Sequence, residues 1–526
     1  MAAGERATGR RRRDRARYVA LALAVFLLCG IAATWPAIEH VDGHYLAGSN
    51  PGYGEAPAGD YLQLTWAFWL PGHQLERGAS PLRDPYSFQP ESSPRLNLQG
   101  WLFGLPFWPI NAAFGPAWAY DVVLLLTYVL AGGFACWWLR SIGLPRGPAL
   151  AGGVAFALAP YRVEQSTGHL LGMIAFLLPA MLLALERCRF VLAAAALAAI
   201  ALSGQVHLAL GAVPLFALYA WLRLPQRRER LLALGGVAAG IAAGFLVQHL
   251  VIATSVVAGG RSLGSVAHYS AILSDFVRRS QGRGVEQFVF LGWVTPLIAL
   301  AGLAVVWRRD RRLTWLLVGM TLVPALLALG THLPLYATAW HHFPPLRYPR
   351  VPERLMPIAC LALAALVAFA ATRLRRQLLV AALVVVLFAD LHVHAYGVSK
   401  AYTHDAAYAA LDGRKGILLE LPIFHPDIHL GSVYLAYAMQ SPHPRPLGYS
   451  TTAPVTADGW AKRHAGLNCA YGDVPSYITF VAVHRGVYRQ GNYQSTICPD
   501  SVEHKLLREG FELLARSGPI AIYERR

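Results

Sequence analysis

The sequence predicts a mainly α polytopic membrane protein. It has about eleven transmembrane helices, further interfacial or re-entrant helices, and a C-terminal extracytoplasmic α/β domain. Three observations predict this class. Of 526 residues only 14% are charged and 55% are hydrophobic, against about a quarter charged in soluble domains. Apolar runs long enough to cross a bilayer recur between residues 18 and 396. Arginines fall in every second loop between those runs, so the net charge of +17 reads as membrane topology. The nucleic-acid partner that such a charge implies in a soluble protein is not expected.

The basic segment 1–17 precedes the first run, Tyr18–Ala37. A secretory signal would look similar, but no small-x-small cleavage site follows and Trp35-Pro36 stands in its place, so a retained first span is expected. Further spans are expected at Trp118–Leu139, Pro148–Pro160, Leu170–Glu186, Phe190–Ser203, Val206–Leu222 and Leu231–Ala253. The last four are Phe288–Trp307, Leu313–Gly330, Leu355–Ala371 and Gln377–Tyr396. Trp101–Phe114 contains Pro106 and Pro109 and is expected to be re-entrant or interfacial rather than crossing.

Short basic loops carry Arg140 and Arg146, Arg187 and Arg189, Arg223 to Arg230, Arg308 to Arg312, and Arg373 to Arg376. By the positive-inside rule they lie with the N-terminus in the cytoplasm of a bacterial inner membrane. The membrane domain is therefore 18–397, with a long acidic first external loop, 38–100. Residues 398–526 follow outside. There "KGILLELPI", "SYITFVAVH" and "GPIAIYERR" read as strands. "SVEHKLLREG" reads as a helix with Ser501 as N-cap and Gly510 as stop. Cys469 and Cys498 fall in this region, where an oxidising compartment permits a disulfide.

Three groups of residues carry candidate chemistry. Asp60 follows Gly59 at the head of "GDYLQLTWAFW". It reads as a helix cap and as a general base fixed by that cap, while Trp66 and Trp69 suit the bilayer interface. Tyr161, Arg162, Glu164 and His169 form a loop between spans. They line a cavity at the outer leaflet, or satisfy one another, with Arg162 paired to Glu164. Arg347, Arg350 and Arg354 lie externally on the Pro-rich "PPLRYPRVPER", against the usual bias. A stiff loop of guanidinium groups suits a phosphate; lipid headgroups or loop carboxylates are the other reading. No P-loop, CxxC or HExxH pattern is present, so neither a soluble nucleotide nor a metal site is indicated. An external acid with external arginines is the minimum for group transfer from a lipid-linked phosphate.

In order along the chain, "TWPAIEH", "GDYLQLTWAFWLPGHQL", "SPLRDPYSFQPESSPRLNLQG", "APYRVEQSTGHLLGMIAFLLPAMLLALER", "EQFVFLGW" and "RYPRVPER" resemble a large bacterial group of the GT-C superfamily of integral-membrane glycosyltransferases. That superfamily shares its architecture with protein O-mannosyltransferases and arabinosyltransferases. The resemblance implies an acidic catalytic base in the first external loop. Asp60 is preferred, with Asp42 and Asp84 as competitors. It implies a polyprenyl-phosphate-sugar donor and a cell-envelope glycan, lipid or protein acceptor, with inversion. The first loop carries no Asp-x-Asp, so no cofactor is expected and a divalent cation is not indicated. The rivals are a transporter or flippase and a non-catalytic scaffold of the same fold. A proton-coupled transporter is disfavoured, because Asp121 and Asp390 are the clearest charges within spans and both lie near span ends.

Overall fold

The computed structural model describes residues 2–48, 50–282, 284–492 and 497–526; the side chains of residues 2–11 and 497 are outside the description. Among these residues six helices are long and apolar enough to cross a membrane: Arg12–Thr34, Pro116–Ser141, Val206–Arg223, Arg227–Ile252, Arg311–Ala328 and Pro352–Ala371. Shorter apolar helices are Leu170–Glu186, Phe190–Leu202 and Gln377–Leu391. A small sheet lies near the C-terminus.

Prolines decide several boundaries. The first helix stops at Thr34, because a residue preceding proline avoids the helical region. The expected run 170–186 divides into Leu170–Ile174 and Leu177–Glu186. Pro179 lacks an N–H and its ring crowds the carbonyl of residue 175, so the break falls there. Trp101–Phe114 is a helix of 14 residues, too short to span the roughly 30 Å hydrocarbon core at 1.5 Å per residue.

The centre of the bundle is Met356–Ala371, packed against Arg146–Ala157 and Val294–Arg309. Gly302 permits the last contact, since a Cβ there would overlap the Leu366 carbonyl oxygen. Small residues at crossings let membrane helices approach closely.

The long first loop and the C-terminal region are stitched together. His44–Ala47 pairs antiparallel with Gly397–Lys400. Backbone bonds join Arg445 N–H to Tyr86 O (2.9 Å), Gln89 N–H to Arg445 O (2.7 Å) and Phe88 N–H to Leu447 O (3.2 Å). Ile417–Leu421 runs parallel to Ile478–His484, which pairs antiparallel with Ile520–Arg525, itself antiparallel to Phe511–Ser517. The last of these strands was not expected. The helix before it begins at Ile497 rather than after Ser501, because Pro499 is tolerated in a first turn. A disulfide joins Cys469 to Cys498.

Candidate active site

The helix Asp60–Glu76 begins after Gly59, whose backbone is extended. Asp60 is thus the first helical residue and makes no cap bond, contrary to the capping expectation. Its carboxylate still meets the positive end of the helix dipole, and its oxygens are held elsewhere. Oδ2 lies 2.8 Å from His169 Nε2, and Oδ1 accepts from the Tyr449 hydroxyl at 2.5 Å. Residues 109 apart in the chain are thereby joined. The backbone leading into the helix is fixed from the C-terminal region: Gly59 N–H donates to Ser432 Oγ and Ala58 N–H to Gln490 Oε1.

Trp66 is buried rather than presented to a bilayer surface, and Trp69 is half-buried beside it. They stack at 5.0 Å, and Trp66 packs with Leu70, Tyr86, Leu435 and Tyr449 under the C-terminal region.

The hydrogen-bond pattern assigns a charge to His169. Its Nδ1 faces Gln165 Oε1 at 2.9 Å and its Nε2 faces Asp60. The Gln165 amide nitrogen is directed to Val285 O, which leaves its oxygen toward the ring. Two acceptors on one imidazole require two N–H donors, the imidazolium. Beyond it, Glu286 Oε1 lies 4.0 Å from His169 Nε2 and accepts from Arg354 Nη2 at 2.7 Å. Tyr449, Asp60 and His169 thus form one hydrogen-bonded group and Glu286 and Arg354 another, and the two meet at the His169–Glu286 ion contact.

The ionisation states follow. Burial raises the Asp60 pKa, but the His169 and Tyr449 hydrogen bonds and the His169 charge outweigh it and take the carboxyl down to about 2. Burial lowers the His169 pKa, yet Glu286 and Asp60 together turn the net shift upward. Burial raises the Glu286 pKa, and Arg354 and His169 bring it down to about 2. Burial and the neighbouring Asp60 charge hold the Tyr449 phenol well above its ordinary value, so it remains a donor.

A carboxyl lowered by folding stabilises above its unfolded pKa of 3.8 and loses that contribution as pH falls. A histidine raised by folding stabilises below its unfolded value of 6.5 and loses that contribution as pH rises through the raised one. The Asp60–His169 pair thus contributes fully only between those limits. The gap in melting temperature between wild type and His169→Gln is expected to be widest near about pH 5 and to narrow by about pH 9. A gap that is constant across that range contradicts the imidazolium assignment.

Two cavities meet at these residues. One, of about 470 Å³, is lined by Asp60, His169, Glu286, Tyr269, Arg350, Asp427, His429 and Tyr449. The other, of about 220 Å³, is lined by Arg95, Arg261, Arg350, Arg354, Asp84 and Tyr449, and by the apolar Leu98, Val206, Val251, Ile252 and Val257. Arg350 and Tyr449 belong to both. The apolar wall includes the π-helical turn Gln248–Ile252 that ends a long helix, a distortion frequent at functional sites.

The other expected residues lie elsewhere. Arg347 does not line either cavity. Its guanidinium donates to His341 O at 2.7 Å and to Trp340 O at 3.3 Å. Arg162 is fully buried and does not pair with Glu164. It sits 4.1 Å from the Tyr128 ring centroid and donates to the Ala157 and Gly172 carbonyls, and it lines neither cavity. Tyr161 is fully buried with an unpartnered hydroxyl. Glu164 accepts from Gln281. Burial, opposed by that bond and by His169, lifts its carboxyl to about 7. Asp42 is exposed in a turn. Asp84 accepts from Trp66, Tyr86 and Ser87 and borders the arginine cavity. No group of three or more potential metal ligands occurs among the described residues.

Arg95, Arg261, Glu286 and Tyr449 are among the residues of the site that had been given no role from sequence. Glu286 had a signal, an acid directly before the apolar "QFVFLGW". Arg261 had a weaker one, a lone arginine between glycines in "AGGRSLG". Arg95 and Tyr449 had none.

No protein-family model and no curated protein sequence matches the chain. Solved structures do. The arabinofuranosyltransferase AftD from Mycobacteria superposes with a TM-score of 0.58 at 18% identity, over 97% of this chain and 40% of that one. The oligosaccharyltransferase of Archaeoglobus fulgidus, in its apo form, superposes with a TM-score of 0.50 at 10% identity, over 94% of this chain and 73% of that one. The chain thus spans well under half the length of AftD. At these identities the likeness is one of fold alone: a bundle of apolar helices arranged as in these two membrane glycosyltransferases.

Proposed function

We propose that the protein transfers a sugar from a lipid-linked phosphate to an acceptor hydroxyl, with Asp60 as general base. The observation that carries this reading is the wall shared by the two cavities. Arg350 and Tyr449 separate a carboxylate–imidazolium pair from a pocket of guanidinium groups with apolar flanks. A donor with its phosphate in the arginine pocket, its lipid stem along Val251, Ile252 and Val257, and its sugar at the wall would present the anomeric carbon to the Asp60 cavity. The acceptor approaches from that cavity, opposite the leaving phosphate. Its O–H proton passes to Asp60, the acceptor oxygen bonds to the anomeric carbon, and the carbon–oxygen bond to phosphate breaks with its electron pair on the phosphate oxygen. Inversion follows from the opposed approach. Arg350 and Arg354 neutralise the leaving charge.

The membrane placement belongs to the same reading: about eleven crossings, the N-terminus cytoplasmic, and the active site and residues 398–526 extracytoplasmic in a bacterial inner membrane. Supporting it, Arg15, Arg140, Arg146 and Arg187, from separate segments, line one cavity, as loops on one membrane face would. Asp427 and His429 reach the Asp60 cavity from the C-terminal region, which gives that region a part in selecting the glycan, lipid or protein acceptor. Charge neutralisation is assigned to guanidinium groups, with no cofactor.

The test is to incubate the purified protein in nanodiscs with a panel of polyprenyl-phosphate sugars and follow release of the lipid phosphate. Consumption of one donor with transfer to a hydroxyl acceptor is expected. A folded protein that consumes none of a broad panel returns the reading to a scaffold.

A further inference from the structure

The arginine cavity holds more cationic groups than one phosphate requires. Arg354 is balanced by Glu286 and Asp84 lies in the same cavity as a charge acting on Arg95, so four guanidinium groups face two carboxylates and a net charge of two is left; Arg95, Arg261 and Arg350 form no direct ion pair among the described residues. Arg95 and Arg261 come from loops far apart in sequence, yet they anchor on successive carbonyls. Arg95 Nη1 donates to Thr452 O at 2.5 Å and Arg261 Nη2 to Thr451 O at 3.2 Å. Neighbouring carbonyls thus anchor two guanidinium groups that line one cavity. Burial draws both pKa values down to about 10, with Arg350 adding to the effect on Arg261, against the opposing charges of Asp84 on Arg95 and Asp427 on Arg261. Like charges gathered in a desolvated pocket are costly unless an anion completes it.

The cluster has two ends. Arg350 stands at the wall facing Asp60. Arg95 precedes Leu98 and Arg261 follows Val257, and Leu98 and Val257 pack in one apolar cluster with Val247 and Ile252. The Arg95–Arg261 end therefore adjoins the apolar path. His207 also borders the cavity, with both ring nitrogens buried and unpartnered, which leaves donor capacity for a further oxygen.

We infer that the donor is a lipid diphosphate sugar, with the sugar-side phosphate on Arg350 and Arg354 and the lipid-side phosphate on Arg95 and Arg261. This rests on the transfer reading above and names its donor class. A lipid phosphodiester of a sugar carries one negative charge and a lipid diphosphodiester two, and the second charge answers the two guanidinium groups on the threonine carbonyls. In the transfer step the anomeric carbon–oxygen bond to the sugar-side phosphate breaks. The electron pair stays on that oxygen, and the lipid leaves as its diphosphate.

Farnesyl phosphate, farnesyl diphosphate and inorganic pyrophosphate are suitable probes, titrated against the full chain in nanodiscs by calorimetry. Farnesyl diphosphate is expected to bind at least about tenfold tighter than farnesyl phosphate, the scale of one further charge-assisted contact. Arg95→Gln and Arg261→Gln are expected to remove most of that preference by weakening farnesyl diphosphate at least about tenfold more than they weaken farnesyl phosphate. Pyrophosphate, which leaves the apolar path empty, is expected to bind more weakly than farnesyl diphosphate. Equal affinity of the two farnesyl compounds for the wild type overturns the diphosphate assignment and leaves the transfer reading standing; that comparison needs no variant to fold. Pyrophosphate binding as tightly as farnesyl diphosphate overturns the lipid assignment. If none of the three binds, the diphosphate site and the donor reading both fall.

Discussion

Asp60→Asn is expected to lower the turnover of sugar transfer by about a hundredfold or more, the range that a positioned general base contributes. The substitution is close to isosteric. Its amide oxygen retains the bond from the Tyr449 hydroxyl, now at 2.5 Å. Its amide nitrogen faces His169 Nε2, which becomes an acceptor if the ring turns neutral and keeps its proton on Nδ1 toward Gln165. The cavity therefore keeps its shape while losing the carboxylate assigned to take the acceptor proton. A fall in kcat with little change in donor KM is the signature of a group that acts in the transition state. Retained turnover in a folded Asp60→Asn protein would falsify the base assignment.

A carboxylate held near 2 is a weak base at rest, and the resting contacts explain why. Both oxygens are occupied, one by an imidazolium and one by a phenol. An acceptor hydroxyl that displaces Tyr449 takes away one of the bonds that depress the pKa and raises the basicity at the moment it is needed. The same state makes Asp60 fully ionised throughout the physiological range. An acid limb of the rate profile near neutrality therefore belongs to another group.

Apolar helices were legible because their length and composition are set by the solvent; six of the eleven expected spans are long and apolar enough to cross among the described residues. The Asp60 helix was legible for a local reason, a glycine turn before an apolar run. Its environment was not. Trp66 and Trp69 obey the composition rule for interfacial aromatics, yet the C-terminal region covers them, and composition does not say which surface an aromatic meets. The three arginines of "RYPRVPER" share a loop without sharing a direction. Prolines break it into separate turns at Pro344–Arg347 and Pro352–Leu355, so no regular period carries one guanidinium to the next. Arg347 turns back onto its own loop while Arg350 and Arg354 face the cavities. Tyr449 was invisible for a deeper reason. It lies 389 residues from Asp60 in an irregular segment, and only tertiary pairing brings it there.

That pairing depends on a buried charge, and Glu420→Ala is expected to destabilise the C-terminal region by about 3–5 kcal/mol, the cost of stranding one partner of a buried ion pair. Arg445 and Glu420 are fully buried and in contact at 2.5 Å. Arg445 also donates to the Tyr434 carbonyl at 3.0 Å and the His443 carbonyl at 3.2 Å. Tyr408 links Glu420 to His484, which reaches Glu55 of the first loop at 2.6 Å. The backbone of Arg445 is bonded to Tyr86 and Gln89 of that loop, and four residues on stands Tyr449. Removing the Glu420 carboxylate leaves a guanidinium without a counter-charge at the seam between the two regions. Replacing both partners, as in Glu420→Leu with Arg445→Met, removes the stranded charge and is expected to cost less than Glu420→Ala alone. Denaturant melts followed by limited proteolysis of the C-terminal region measure the difference. Equal or greater loss in the double variant would assign the stability to packing rather than to the pair. Because the seam presents Tyr449 to Asp60, Glu420→Ala is also expected to depress turnover without touching the cavity. A phenol displaced from Asp60 leaves one carboxylate oxygen without the bond that fixes its direction.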